Sequence, residues 1–256
     1  MEETKESGTK DAGTITIKKD SLWKYSTFVL LAVVVIVGFF MLRGDGGSGA
    51  AVNTGNSGST GQVDLSPFLQ NSQLYPSLGP EDADNVVIEF ADFQCPWCAI
   101  ASGLPSWAIE AAQTSPQVNS VLNSAKIVED MAKQGNLRFV YVPMSFLGQE
   151  SIYAAEAGYC AHEQDKFWEM HDIIFAAHDG EENNGKYSKE NLKILAHEIS
   201  GLDQNKFANC LDDGKYSSDV QASANQARTA ATGTPTMYIN GQKVSPTPTA
   251  VQAALQ

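Results

Sequence analysis

Val86-Val87-Ile88-Glu89-Phe90-Ala91-Asp92-Phe93-Gln94-Cys95-Pro96-Trp97-Cys98 joins an apolar run to two cysteines three positions apart. The run reads as a strand, and the spacing of the cysteines places both at the start of a helix. A strand that delivers two thiols in this way presents a pair able to open and close as a disulfide. One turn of helix leaves the first sulfur at the N-terminus, where unpaired backbone N–H groups and the positive dipole end stabilise a thiolate. Cys95 is therefore the expected nucleophile, and Cys98, further inward, resolves the mixed disulfide. A lone C-x-x-C also fits half of a zinc knuckle. No second C-x-x-C or spaced His pair completes a tetrahedral site, so no metal and no cofactor is expected.

The 256 residues suffice for one well-filled domain with extensions. Residues 25–42 carry no charge and are dominated by Phe28-Val29-Leu30-Leu31-Ala32-Val33-Val34-Val35-Ile36-Val37. At about 1.5 Å per residue this stretch crosses most of a bilayer, and it is expected to be a transmembrane anchor. Lys18, Lys19 and Lys24 precede it and Arg43 follows, which puts residues 1–24 in the cytoplasm and the rest outside. A cleaved secretory signal with a site near Ser48-Gly49-Ala50 is the competing reading, and both export the domain. The formal net charge is −13, and residues 44–256 hold 25 acidic against 11 basic residues, a balance that argues against a nucleic-acid partner. Four cysteines allow three pairings. An oxidising compartment suits Cys95 with Cys98 and Cys160 with Cys210, because three-residue spacing pairs easily and a redox pair must stay free of permanent partners.

Residues 44–62 are almost entirely Gly, Ser, Asn, Thr and Ala, the composition of a flexible tether spanning about 24 Å. Residues 63–84, with Pro67, Pro76, Gly79 and Pro80, lack periodicity and are expected to be an irregular lead-in, so that 43–84 is linker and 85–256 the domain. Ile100, Leu104, Trp107 and Ala108 recur at helical spacing, with Pro105 expected to kink or split the helix. Val118, Val121, Leu122, Ala125, Val128 and Met131 suggest a second helix, and Leu137 to Val142 a second strand. From about 150 to 231 the pattern is helical. Strand character returns at Thr236 to Asn240, which Gly241 turns into a hairpin ending near Val244. The fold class is α/β, a sheet interrupted by an inserted helical subdomain.

Four stretches in this order resemble the DsbA-like branch of the thioredoxin superfamily. They are Glu89 to Cys98, Gln164-Asp165-Lys166-Phe167-Trp168-Glu169-Met170-His171, Cys210-Leu211-Asp212-Asp213-Gly214-Lys215-Tyr216, and Gly233-Thr234-Pro235-Thr236-Met237-Tyr238-Ile239-Asn240-Gly241. The resemblance implies a thioredoxin fold with an inserted helical domain and thiol–disulfide exchange as the activity. It makes Cys95 the exposed nucleophile and Cys98 its buried partner. Pro235 becomes a cis-proline facing the pair, with the Thr234 backbone offered to an extended substrate segment. Glu89 stands where such proteins often carry a buried acid that shuttles a proton for Cys98, the alternative being a strand residue facing water. Pro96 and Trp97 lie between the cysteines and tune the couple. An indole adds no positive charge there, which points to a couple less oxidising than the strongest relatives.

Cys160 and Cys210 fall in the insertion, where some relatives carry a second disulfide, structural or regulatory. His162 and His171 nearby read as hydrogen-bond partners within the helical domain, with metal binding the alternative. Two departures concern substrate and partner surfaces: residues 112–136 are longer than in most relatives, and Leu147-Gly148-Gln149 replaces a His often seen before the insertion.

The expectation is thus a single-pass cell-membrane protein with an extracytoplasmic catalytic domain that introduces disulfides into exported proteins with free cysteines. The resemblance implies reoxidation by a quinone-linked membrane protein of the DsbB or vitamin K epoxide reductase-like kind. A reductase or isomerase is the alternative within this class; nothing in residues 1–84 looks like the dimerisation module an isomerase gains from. A membrane-tethered peptide-binding chaperone module is the alternative outside it.

Overall fold

Val86–Ala91 (β2) is a strand buried along almost its whole length, and it is apolar apart from Glu89 because both of its faces are covered. The computed structural model describes residues 63–256. The expected cytoplasmic segment at 1–24, the anchor at 25–42 and the tether at 44–62 lie outside the described residues. Among the described residues no helix is long and apolar enough to cross a membrane.

Before β2 come a short helix, α1 (Ser66–Gln70), and a two-residue strand, β1 (Ser77–Leu78). After it come α2 (Pro96–Ser102), α3 (Ser106–Ala112), α4 (Pro116–Val121), α5 (Ser124–Lys133) and β3 (Arg138–Pro143). Five helices follow: α6 (Gln149–His162), α7 (Phe167–Ala176), α8 (Lys189–Ala196), α9 (Gln204–Asp212) and α10 (Ser217–Ala227). The hairpin β4 (Thr236–Ile239) and β5 (Gln242–Val244) and a last helix, α11 (Pro248–Ala254), close the chain.

The five strands lie in the order β1-β3-β2-β4-β5. β2 runs parallel to β3, with Glu89 opposite Tyr141, and antiparallel to β4, with Glu89 opposite Met237. Period-two alternation sends Ile88 and Phe90 to one face, where they meet Phe68, Tyr238 and Ala227. Phe68 packs edge-on to Phe90 with ring centroids 4.8 Å apart. Val87 points to the other face, against Ala101 of α2, Val128 of α5 and Val251 of α11. Each such fully buried large side chain contributes about 1.5–3 kcal/mol.

The lead-in differs from the expectation. Leu65, Phe68 and Tyr75 are buried in the sheet's second core, and β1 pairs antiparallel with β3, so the folded domain begins well before residue 85. Pro67 starts α1 by occupying its first turn, where a missing N–H costs nothing. An element of five residues followed by one of two is too short to show a period. The single helix expected over 118–131 is two, divided where Asn123 takes a left-handed φ of 67°. Pro105 splits α2 from α3 as expected, and Gly103, at φ 67°, ends α2 against the Asn123 side chain with no room for a Cβ. The terminal helix α11, capped by Thr247, was not expected.

The insertion packs around α6, whose run of Ala154, Ala155, Ala157, Gly158 and Ala161 is buried and lets neighbours approach closely. A Cβ on Gly158 would stand 3.0 Å from the Phe167 ring. Cys160 of α6 is bonded to Cys210 of α9 across 50 residues. His162 Nε2 meets the Ser72 carbonyl at 3.1 Å, and His171 Nδ1 meets Asp172 at 2.9 Å. The last helix of the insertion returns to the sheet, where the Ser223 hydroxyl donates to the Pro143 carbonyl at 2.7 Å.

Candidate active site

Cys95 is the N-cap of α2 and Pro96 its first residue, a position that fixed proline φ suits. Both Cys95 and Cys98 are free thiols. Cys95 is less exposed than expected, 6% against 1% for Cys98, because the segment before β4 closes over the helix tip. Its sulfur donates to the Thr234 carbonyl at 3.5 Å, and the Thr234–Pro235 peptide is cis. Trp97 stands 44% exposed at the rim.

Charge, more than exposure, separates the two thiols. A hydrogen bond from the Cys98 thiol, aided by the N–H groups of Cys98 and Trp97, brings Cys95 down to about 7 against its burial. Burial first, then the adjacent Cys95 and the Glu89 charge, pushes Cys98 well above the usual thiol range. One sulfur is ready to attack near neutral pH while the other holds its proton.

Glu89 lies beneath the pair and is 2% exposed, so of its two readings the buried one describes it. Burial, then the charges of Glu129 and Cys95, push its carboxyl up to about 8. Glu129, also 2% exposed, belongs to α5 and is paired with Lys133, which continues to Asp172 at 3.3 Å. The lengthened 112–136 stretch thus supplies a second buried acid under the redox helix. An acid whose folded pKa lies above its unfolded value binds a proton that the unfolded chain has released, so its contribution to stability falls as pH rises between the two values. Glu89→Gln is accordingly expected to gain stability relative to wild type as pH climbs from about 5 to about 8, by on the order of 1 kcal/mol per unit, and to gain nothing near pH 4. Urea titrations across that range measure the difference.

Several residues of the site were passed over in the sequence. Asp92 is buried and its carboxylate accepts from the N–H groups of Gln94 (2.9 Å), Phe146 (2.9 Å) and Leu147 (3.2 Å). The Gln94 amide donates to Ser151 at 3.0 Å and to Asn183 at 3.2 Å, and accepts from the Asn183 N–H at 2.7 Å. His178, also buried, receives the Gly180 N–H on Nδ1 at 2.9 Å, so Nε2 carries the proton and donates to the Gln94 carbonyl at 3.0 Å. Burial holds this imidazole below its ordinary pKa. The insertion is thereby tied to the residue just before Cys95. The visible signal was the pair of polar residues Asp92 and Gln94 inside an otherwise apolar run.

A mostly apolar cavity of about 340 Å³, lined by Met144, Phe146, Arg228, Ala231 and Thr232, opens beside the segment leading to Pro235. A larger polar one of about 610 Å³ lies on the insertion among Tyr159, Glu163, Lys206 and Lys215, and includes neither free cysteine. The Cys160–Cys210 bond is likewise separate from the redox pair.

The family model described as thioredoxin matches residues 119–256, more than half of the chain. The chain belongs to the thioredoxin family. The matched region begins after Cys95 and Cys98 and takes in the insertion, the cis-proline and the closing hairpin. Among curated relatives, the chain is 29% identical over 171 residues to the Na(+)/H(+) antiporter NhaA 3 of Salinispora tropica, covering 64% of this chain and 21% of that protein. It thus spans about a fifth of the length of that antiporter. It is 25% identical over 173 residues to a probable disulfide bond formation protein D of Bacillus anthracis, covering 66% of this chain and 71% of that one. Among solved structures, oxidised BdbD from Bacillus subtilis superposes with a TM-score of 0.57 at 23% identity, over 72% of this chain and 92% of that one, a likeness of fold. Within this thioredoxin-family domain, two free thiols of unlike acidity at a helix tip are the groups that thiol–disulfide exchange requires.

Proposed function

We propose that this protein is a thiol–disulfide oxidoreductase and works as an extracytoplasmic oxidase, introducing disulfides into exported proteins that carry free cysteines. The observation that carries the proposal is the placement of two free thiols at the tip of α2, Cys95 at the N-cap against the Thr234 carbonyl and Cys98 buried behind it. An outer thiol that ionises readily stabilises the reduced pair and leaves easily from the mixed disulfide when the second substrate thiol attacks, which favours passing the disulfide on. A substrate thiolate attacks Cys95 and the bond to Cys98 breaks; a second substrate thiol then attacks the mixed disulfide and leaves as part of the new substrate disulfide. Cys95 and Cys98 remain as a dithiol. Glu89 exchanges a proton with Cys98 as it opens and closes.

Thr234 and cis-Pro235 hold an extended substrate segment beside Cys95, and the apolar cavity with Phe146 and Arg228 takes its side chains. Pro96 and Trp97 set the potential of the couple. Residues 25–42 anchor the protein and 1–24 lie in the cytoplasm. Reoxidation falls to a quinone-linked membrane protein of the DsbB or vitamin K epoxide reductase-like kind. The disulfide-bond-formation names of the Bacillus relatives support the direction.

The test is the equilibrium potential of the Cys95–Cys98 couple in glutathione buffers, together with oxidation of a reduced, unfolded substrate protein. The oxidase is expected near about −120 to −180 mV, with net disulfide formation in the substrate; a value near about −270 mV would assign a reductase instead. Rescue of a scrambled substrate without net oxidation would assign an isomerase.

A further inference from the structure

Tyr141 is fully buried, and its hydroxyl has no hydrogen-bond partner among the described residues. Other buried tyrosines use theirs: Tyr159 donates to the Leu74 carbonyl, Tyr187 to Ile174 and Tyr238 to Ala230. A covered donor with nothing to accept from it carries a standing cost, and a redox role is one of the things that account for such a group.

The fold says where that acceptor is. Tyr141 is the register partner of Glu89 on the neighbouring parallel strand, so the two side chains leave the sheet on the same face. Cys95, Cys98 and Ala99 of α2 are buried in one cluster with Tyr141 and Phe93 on that face. The ring is held from several sides, by Phe93 at 5.3 Å between centroids, Phe167 at 5.6 Å and His171 edge-on at 5.0 Å. Phenol, carboxyl and inner thiol therefore converge beneath the redox helix.

We propose that the Tyr141 hydroxyl is the hydrogen-bond donor that receives the Cys98 thiolate when the active disulfide opens. The inference rests on the exchange reaction above. An attacking thiolate forms a bond to the Cys95 sulfur, the Cys95–Cys98 bond breaks, and its electron pair remains on the Cys98 sulfur. The phenol stabilises that charge until protonated Glu89 transfers its proton to the sulfur. On closure the proton returns to Glu89, and the Cys98 thiolate attacks Cys95 and expels the substrate thiolate. Burial, then the Cys98 and Glu89 charges, push the phenol well above its ordinary range, so Tyr141 keeps its own proton throughout.

Tyr141→Phe keeps the ring and removes only the donor. Opening of the oxidised full chain by reduced glutathione, followed through tryptophan fluorescence between pH 5 and 9, is expected to slow about tenfold, the effect of one charge-assisted hydrogen bond on a developing thiolate. Alkylation of Cys95 in the reduced protein should keep its rate within about twofold. An unchanged opening rate overturns the inference, and so does a lowered Tm with opening intact, since that makes Tyr141 structural. A wild-type protein that glutathione cannot open overturns the exchange reading itself, a separate outcome. If Tyr141→Phe does not fold, the ¹³Cζ resonance of Tyr141 in the reduced wild type with Cys95 alkylated decides: a shift that follows ionisation of Cys98 supports the hydrogen bond, and a resonance unmoved by it overturns the inference.

Discussion

Cys95→Ser is expected to reduce thiol–disulfide exchange to the uncatalysed background, a loss of more than about a thousandfold, while Cys98→Ser traps substrate as a stable mixed disulfide. The two thiols differ in what each one's absence leaves behind. Without Cys95 the remaining sulfur is 1% exposed and holds its proton, so no competent nucleophile reaches solvent. Without Cys98 the outer sulfur still attacks, and nothing inside the protein reverses the attack. In the reduced wild type, the rate of Cys95 alkylation by iodoacetamide should follow the thiolate fraction, rising roughly tenfold per pH unit below a midpoint of about 7 and levelling above it. Mass spectrometry of the trapped adduct and a pH series of alkylation check both halves. A Cys95→Ser protein that still suppresses aggregation and supports function would assign the domain to peptide binding, with the dithiol secondary.

Removing the second disulfide by Cys160→Ser with Cys210→Ser is expected to cost about 2–4 kcal/mol of stability, read as a lower urea midpoint. The bond spans 50 residues, for which loop-closure entropy alone gives roughly 4 kcal/mol. It joins the central helix of the insertion to α9, whose Phe207 and Leu211 are buried in the same core and whose Leu211 carbonyl accepts from Lys189. The insertion in turn grips the redox turn through His178, Asn183 and Ser151 on Gln94. A structural bond therefore loses stability with little change in the potential of the Cys95–Cys98 couple. A regulatory bond would show the opposite: a shifted potential with stability nearly intact.

The order of elements was legible wherever the signal is local. Val86 to Phe90 followed by Cys95 and Cys98, Pro105 as a helix break, and the Thr236 to Val244 hairpin all depend on residues a few positions apart. Short or irregular pieces escaped: α1 and β1 exist because Phe68, Tyr75 and the β3 edge provide something to pack against or pair with, and α11 because Val251 fills a gap beside α5 and β4.

The sequence by itself determined the chemistry on offer: two thiols at a strand-to-helix turn, a Thr-Pro ahead of the last hairpin, and two further cysteines fifty residues apart. Tertiary structure alone decided how that chemistry is tuned. Whether Glu89 met water or lay buried depended on α2 and α5 closing over its face. Tyr141 acquired an unpartnered hydroxyl, and Gln94 a hold from residues 57 to 89 positions away, only through contacts made on folding. Burial and proximity shift proton affinities, and neither is a property of a residue's neighbours in the chain.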